Sequence, residues 1–295
     1  MELNELINFE LNEAIQEELG IADAVKDEGF RLSNKIKEII KGNPTSKRQI
    51  LDGVIRSSFD FSDTIMGDLF RLSVYYYNFL TRDSFEDNQY KVDYNSASLT
   101  SDGKRVRFLF VHCYGISGGL DMSSLSDSVY HELGHYYQGM SGNSEVFNDS
   151  PEYMAASTYM QSNIEFEKII SILYYYSRRF EDDGYVNGLY GALISSDNPV
   201  PRYEDLKNNG ILDSVRQFRN AINIVSENLE NKEYQGFCKK IFGITLDKLL
   251  KISLTSYYRF LNKIGKVLIK VRQDKINEGI HFGFTTTGER IPLIY

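Results

Sequence analysis

Residues 128–138, SVYHELGHYYQ, carry two of the chain's four histidines four positions apart, with a glutamate directly after the first. On a helix, residues four apart sit one turn above each other on the same face. His131 and His135 would therefore hold one metal ion from two corners. Glu132 falls about a hundred degrees further round, where its carboxylate reaches a metal-bound water without coordinating the ion. Two neutral nitrogen ligands beside a general base are the chemical content of the H-E-x-x-H pattern. Zinc suits it, because two imidazoles and a carboxylate leave a fourth position open, and the pKa of water bound there falls to about 7. The competing reading is a pair of packed histidines on an ordinary amphipathic helix.

Position decides between these readings, so the elements around the motif matter. Leu125, Val129, Leu133, Tyr136 and Tyr137 are spaced to pack behind the histidines. Ser124 or Ser126 can cap the helix, Asp121 and Asp127 favour its N-terminal end, and Gly139 and Gly142 mark its finish. Gly134 costs about 1 kcal/mol relative to alanine, which is understandable where another segment passes close. Upstream, RQILDGVIRSSF, DLFRLSVYYYNFL, QYKVDYNSASL and KRVRFLFVHCYG read as strands, with TSDG at 100–103 joining the last two as a hairpin. In the last strand Arg105, Arg107, Leu109 and Val111 share one face; Val106, Phe108, Phe110 and His112 share the other. Arginines on one face suit an edge strand. Downstream, Ser150 with Pro151 starts a helix expected to run to about residue 180.

Residues 1–41 read as two helices, ended by the Gly-Asn-Pro at 42–44, and residues 211–229, 231–241 and 246–276 are helical again. The tail HFGFTTTGERIPLIY is extended. The expected organisation is an N-terminal helical segment (1–44), a core (45–200) and a C-terminal helical subdomain (201–295), α+β in class. The tyrosine clusters VYYYNF and LYYYS read as packing. The basic helix YRFLNKIGKVLIKVRQDK (258–275) reads as a solvated face, with the acidic N-terminal helices as its counterpart.

The net charge of −8 argues against nucleic acid as a partner. The N-terminal stretch lacks the basic and apolar regions of a signal peptide, and no apolar run reaches the roughly 18 residues of a membrane span. Two cysteines, Cys113 and Cys238, imply no disulfide framework and fit a reducing interior. The expected location is cytoplasmic, and the Asn-, Ile-, Lys- and Tyr-rich composition without tryptophan has a bacterial or phage flavour.

HELGH, preceded by an apolar strand and followed by a helix bearing a glutamate, resembles the zincin metallopeptidases. It is most similar to the gluzincin branch, in which a downstream glutamate is the third zinc ligand. The likeness covers about residues 100–180. The metzincin extension is missing, since Ser141 stands six residues after His135. The HELxHxxQ form with Gln138 also resembles small phage-encoded and bacterial zincin-like proteins. What the resemblance implies is a zincin-like core with one catalytic Zn2+, held by His131, His135 and Glu152, hydrolysing a protein or peptide substrate. Glu152 stands first because EYMAASTYM resembles the E-x-x-A pattern of repressor-cleaving proteases of mobile elements, with Ala155 and Ala156 letting the helix pack against the motif helix. Glu145 and Glu165 are alternatives, and His112 is a further candidate. GYVNGLYG at 184–191 is faintly similar to the aspzincin ligand motif, but Asn187 stands where the aspartate would be. By the same resemblance, strand 104–112 lies antiparallel to the substrate, Glu132 moves the proton from water to leaving amine, and Tyr153 or Tyr190 is a candidate for the oxyanion. The competing class is a non-catalytic interaction or structural protein, of a phage or mobile element, that keeps the zincin scaffold.

Overall fold

Two short turns set the sheet. In the computed structural model, which describes residues 23–42, 47–86, 95–101, 107–140, 150–196, 206, 209–277, 281–284 and 290–293, β1 (Lys47–Leu51) and β2 (Val54–Ile65) meet at Asp52-Gly53. β2 and β3 (Asp68–Phe79) meet at Met66-Gly67. All four turn residues have positive φ, the two-residue hairpin geometry that matches strand twist. RQILDGVIRSSF is thus two strands about an Asp-Gly turn rather than one. After a short helix, α2 (Arg82–Glu86), the chain forms β4 (Asn95–Ser101) and β5 (Arg107–Ile116). The sheet order is β1-β2-β3-β5-β4, mixed in sense: β5 runs parallel to β3 and antiparallel to β4.

The expectation of an edge strand at 104–112 is therefore corrected. β5 is internal and β4 takes the edge. Arg107 does not need solvent at an edge, because Asp68 at the start of β3 pairs with it at 3.2 Å and the Tyr136 ring lies 4.7 Å beneath its guanidinium. The face carrying Leu109 and Val111, with Phe70, Leu72 and Val74 of β3, is buried.

The remaining elements are α1 (Asp23–Gly42), α3 (Met122–Met140), α4 (Pro151–Tyr159), α5 (Glu165–Tyr176), α6 (Arg179–Ile194), α7 (Ile211–Glu227), α8 (Lys232–Phe242), α9 (Leu246–Asn277) and a hairpin of β6 (His281–Phe284) and β7 (Arg290–Leu293). The class is α+β. The helices expected before residue 23, the loop bearing Glu145, Arg105 and Val106, and the TSDG turn lie outside the described residues, apart from Thr100 and Ser101, the first two residues of that turn. Among the described residues no helix is long and apolar enough to cross a membrane.

The chain divides into two compact units. One comprises Gly20–Tyr137, Asn187–Pro199 and Asp274–Tyr295 and contains the sheet. Here α1 buries Val25, Leu32 and Ile36, and α3 buries Leu125, Val129, Leu133 and Tyr136. The Tyr136 ring meets Phe70 edge-on at 5.0 Å, and its hydroxyl donates to Asp68 at 2.7 Å, which pins α3 to the end of the sheet. The other unit comprises Met1–Leu19, Gln138–Val186 and Val200–Gln273 and is helical where described. Its core gathers Ala156, Leu173, Tyr176, Phe218, Phe237 and Leu249 among others.

The long helix expected from Ser150 to residue 180 is broken. It starts as foreseen: Ser150 is extended and its side chain accepts from the Tyr153 amide, with Pro151 at the first turn. It stops at Tyr159, where Ser162 turns to its own backbone. The Ser162 hydroxyl accepts from the Ile164 amide at 3.1 Å and donates to Glu167 at 2.6 Å, the local competition by which serine interrupts helices. Ala156 packs in the core shared with α5, α7, α8 and α9.

Candidate metal centre

The motif helix α3 begins at Asp121, not at Ser124 or Ser126. The Asp121 carboxylate accepts from the amides of Ser123 and Ser124 at 3.0 and 3.3 Å. Its partner is α6, which packs against it in antiparallel sense. In the sheet-containing unit, Ser195 donates to Ser126 at 2.7 Å, Gly191 lies against the Tyr130 ring, and Gly134 lies against Asn187. In the helical unit, Gln138 donates to Asp183 at 2.9 Å. Each step is four residues up α3 and four down α6, one turn of each helix. A second row starts with Ser123 donating to the Ala192 carbonyl and Gly188 lying against Asp127. His131 and His135 lie further along α3, and Glu181 stands in the first turn of α6.

That is where the structure brings three donors together. His131, His135 and Glu181 each offer one ligand atom, and these atoms all lie within 4.8 Å of one another, close enough for one ion to reach all three. The two Nε2 atoms are 3.0 Å apart with the rings perpendicular. Such a contact holds either one shared proton or, with both nitrogens unprotonated, one ion. Burial, then the neighbouring His135, drives the His131 pKa well below its usual value. His131 is therefore neutral near pH 7, the form that ligates.

The carboxylate is held in an unusual way. Glu181 is only 2% exposed. Tyr153 of α4 donates to Oε1 and Tyr175 of α5 to Oε2, both at 2.8 Å. Burial, then Tyr185 and Glu181, push the Tyr175 hydroxyl far above the usual phenol range, so it stays a donor. The next two acids of α6 are treated differently. Asp182, 1% exposed, takes the Arg259 guanidinium at 2.6 and 2.8 Å, and burial pushes its carboxyl up to about 6 while Arg259 draws it down. Asp183 pairs with Lys263 and accepts from Gln138. Among the described residues no lysine or arginine pairs with Glu181. A buried carboxylate with neutral donors and no cation is costly unless positive charge arrives. Two imidazoles beside it complete a nitrogen–oxygen donor set of the kind zinc takes, so the residues present fit the metal.

The other expected residues lie elsewhere. Glu152 is half-buried in the first turn of α4 and Glu165 is exposed at the start of α5; neither belongs to the group of three. The group of three contains Glu181 and does not contain Glu152. Glu132 is half-buried on α3, next to His131 and outside the group. His112 stacks between Tyr75 and Tyr77 on β5 and contacts the Tyr77 hydroxyl at 3.4 Å. Tyr190 donates to Asp274 at 2.8 Å, while Tyr153 serves Glu181. Asn187 fills the space beside Gly134. Glu181 stands six residues before Asn187 on the same helix. The Glu-Asp-Asp run at 181–183 was the available signal.

Compared with protein-family models, with curated proteins and with solved structures, the chain matches none of them.

Proposed function

We propose that the protein is a zinc-dependent metallopeptidase whose metal is held by His131, His135 and Glu181 and whose proton carrier is Glu132. The observation that carries this reading is the buried Glu181, given two phenols and no basic side chain among the described residues, set against two imidazoles. Zinc bound there would polarise a substrate carbonyl and bring the pKa of a bound water to about 7. His131 and His135 share one face of α3, so ligation leaves Glu132, about a hundred degrees round the helix, to act as base. Its carboxylate accepts the proton of the attacking water and returns it to the leaving nitrogen, as a general base and then a general acid. The intact glutamate favours an enzyme over a scaffold that has lost its chemistry. The substrate is a protein or peptide lying extended along the sheet edge. The edge strands are β1 and β4, and an extended peptide can add to such an edge as a further strand.

The test is Glu132→Gln. The variant keeps zinc at the wild-type stoichiometry and loses hydrolysis of an unstructured peptide library by at least about 100-fold, the scale of a lost acid–base group. Equal turnover by both forms would remove Glu132 from the mechanism. Zinc at full occupancy with no hydrolysis by the wild type would instead favour a binding protein that keeps the scaffold.

A further inference from the structure

Three consecutive acids open α6, and each is met by different chemistry. Asp182 receives Arg259, Asp183 receives Lys263 and Gln138, and Glu181 alone receives two phenols. A basic partner would neutralise a carboxylate and compete with a metal for it. A phenol donates one hydrogen bond to one oxygen and leaves the charge and the remaining lone pairs in place. The two phenols also come as a built pair. Tyr153 and Tyr175 arise from separate helices, α4 and α5, yet their rings stack at 5.6 Å and 21°, and their hydroxyls take one oxygen each. The carboxylate is therefore fixed in both position and rotation before any ion arrives.

We propose that Tyr153 and Tyr175 are positioning residues for the metal: a stacked phenol pair that holds the buried Glu181 carboxylate in one orientation, as a member of the group with His131 and His135. The proposal rests on the metal-binding reading above and adds to it how the third ligand is set. Partners that orient a ligand in this way contribute about 10–100-fold to metal affinity. The pair touches neither substrate nor reacting atoms; its action passes through Glu181. No sequence pattern marks this role, because LYYYS and EYM look like packing residues until the fold brings them to one carboxylate.

The experiment measures zinc affinity of the full-length metal-free protein by competition with a chromophoric chelator, with cobalt(II) absorption as a second readout. Tyr153→Phe and Tyr175→Phe each weaken zinc by about 10–100-fold and alter the cobalt spectrum. In a Glu181→Gln background the same substitutions leave zinc affinity unchanged, since the group they act through is gone. A merely structural role would lower affinity in both backgrounds, and that result overturns the proposal, as do wild-type affinities in both single variants. Tyr153 stands on the shorter helix and is half-buried, so its variant keeps the fold if Tyr175→Phe does not. Wild-type protein that binds neither zinc nor cobalt would overturn the metal-binding reading and this one together. Tight binding by the wild type that the tyrosine variants share overturns this one alone.

Discussion

Glu181 and Glu152 are both candidates on chemistry, and their surroundings separate them. Glu152 sits in a first helical turn, where an acid is favourable without any ligand. Glu181 is 2% exposed with neutral donors, a position that costs stability until a cation binds. The two substitutions should therefore differ in kind. Glu181→Gln weakens zinc by at least about 100-fold, consistent with loss of a ligand and beyond the effect of an orienting partner. Its metal-free form melts at or above the wild-type temperature, because a buried charge has been removed. Glu152→Gln leaves zinc affinity within about 2-fold of wild type, as expected of a half-buried acid that belongs to a helix first turn. Dialysis against chelator followed by zinc titration and thermal melts with and without metal measures all three quantities. Zinc lost in Glu152→Gln and retained in Glu181→Gln would exchange their roles. At this scale the histidines were legible because their spacing is local to one helix. The third member of the group, Glu181, lies 46 residues beyond His135 by sequence number, and spacing along one helix carries no information about a residue so distant in the chain.

That packing depends on small residues at the helix crossing. Gly134 lies against Asn187, Gly188 against Asp127 and Gly191 against the Tyr130 ring, leaving no room for a Cβ at any of the three. Gly134→Ala should gain about 1 kcal/mol of helix propensity and lose more, about 1–3 kcal/mol, to overpacking against Asn187. The net result is a lower melting temperature. Asn187→Ala in the same chain removes the obstructing side chain and recovers part of the loss, so the two substitutions are non-additive. A Gly134→Ala variant more stable than wild type would show that α3 and α6 do not approach at this turn. The close approach was readable from Gly134 itself, a glycine between two histidines, although its partner was not. The strands were readable from alternation, but the place of β5 was not: Arg107 suggests an edge until Asp68 and Tyr136 are seen to receive it. The break at Ser162 was missed because serine costs a helix little by propensity and acts instead through its own hydrogen bonds.

Across the whole molecule the net charge is −8, and among the described residues several basic groups are set on partly or fully buried acids. Arg259 and Lys263 of α9 turn to Asp182 and Asp183, where the composition of that helix suggested a solvated surface or a contact with the acidic N-terminal helices. In the sheet-containing unit the same device ties α1 to β2, with Arg31 and Lys35 both reaching Asp63 at 2.9 Å. Burial raises the Asp63 pKa, but hydrogen bonds from Lys35 and Arg31 outweigh it and leave the carboxyl below its usual value. A folded-state pKa depressed in this way contributes stability above the unfolded value, and the contribution disappears as pH falls through the folded one. The bases are about 40% exposed, so solvent screening keeps each pair at or below about 1 kcal/mol. Asp63→Asn should accordingly lower stability by roughly that amount at pH 7. The gap between variant and wild type should hold down to about pH 5 and close toward zero below about pH 3. Urea melts at a series of pH values, taken as the difference between the two proteins, cancel the titration of every other acid. A gap that persists undiminished at the acid end would mean that Asp63 acts through packing, and that charge does not join α1 to the sheet.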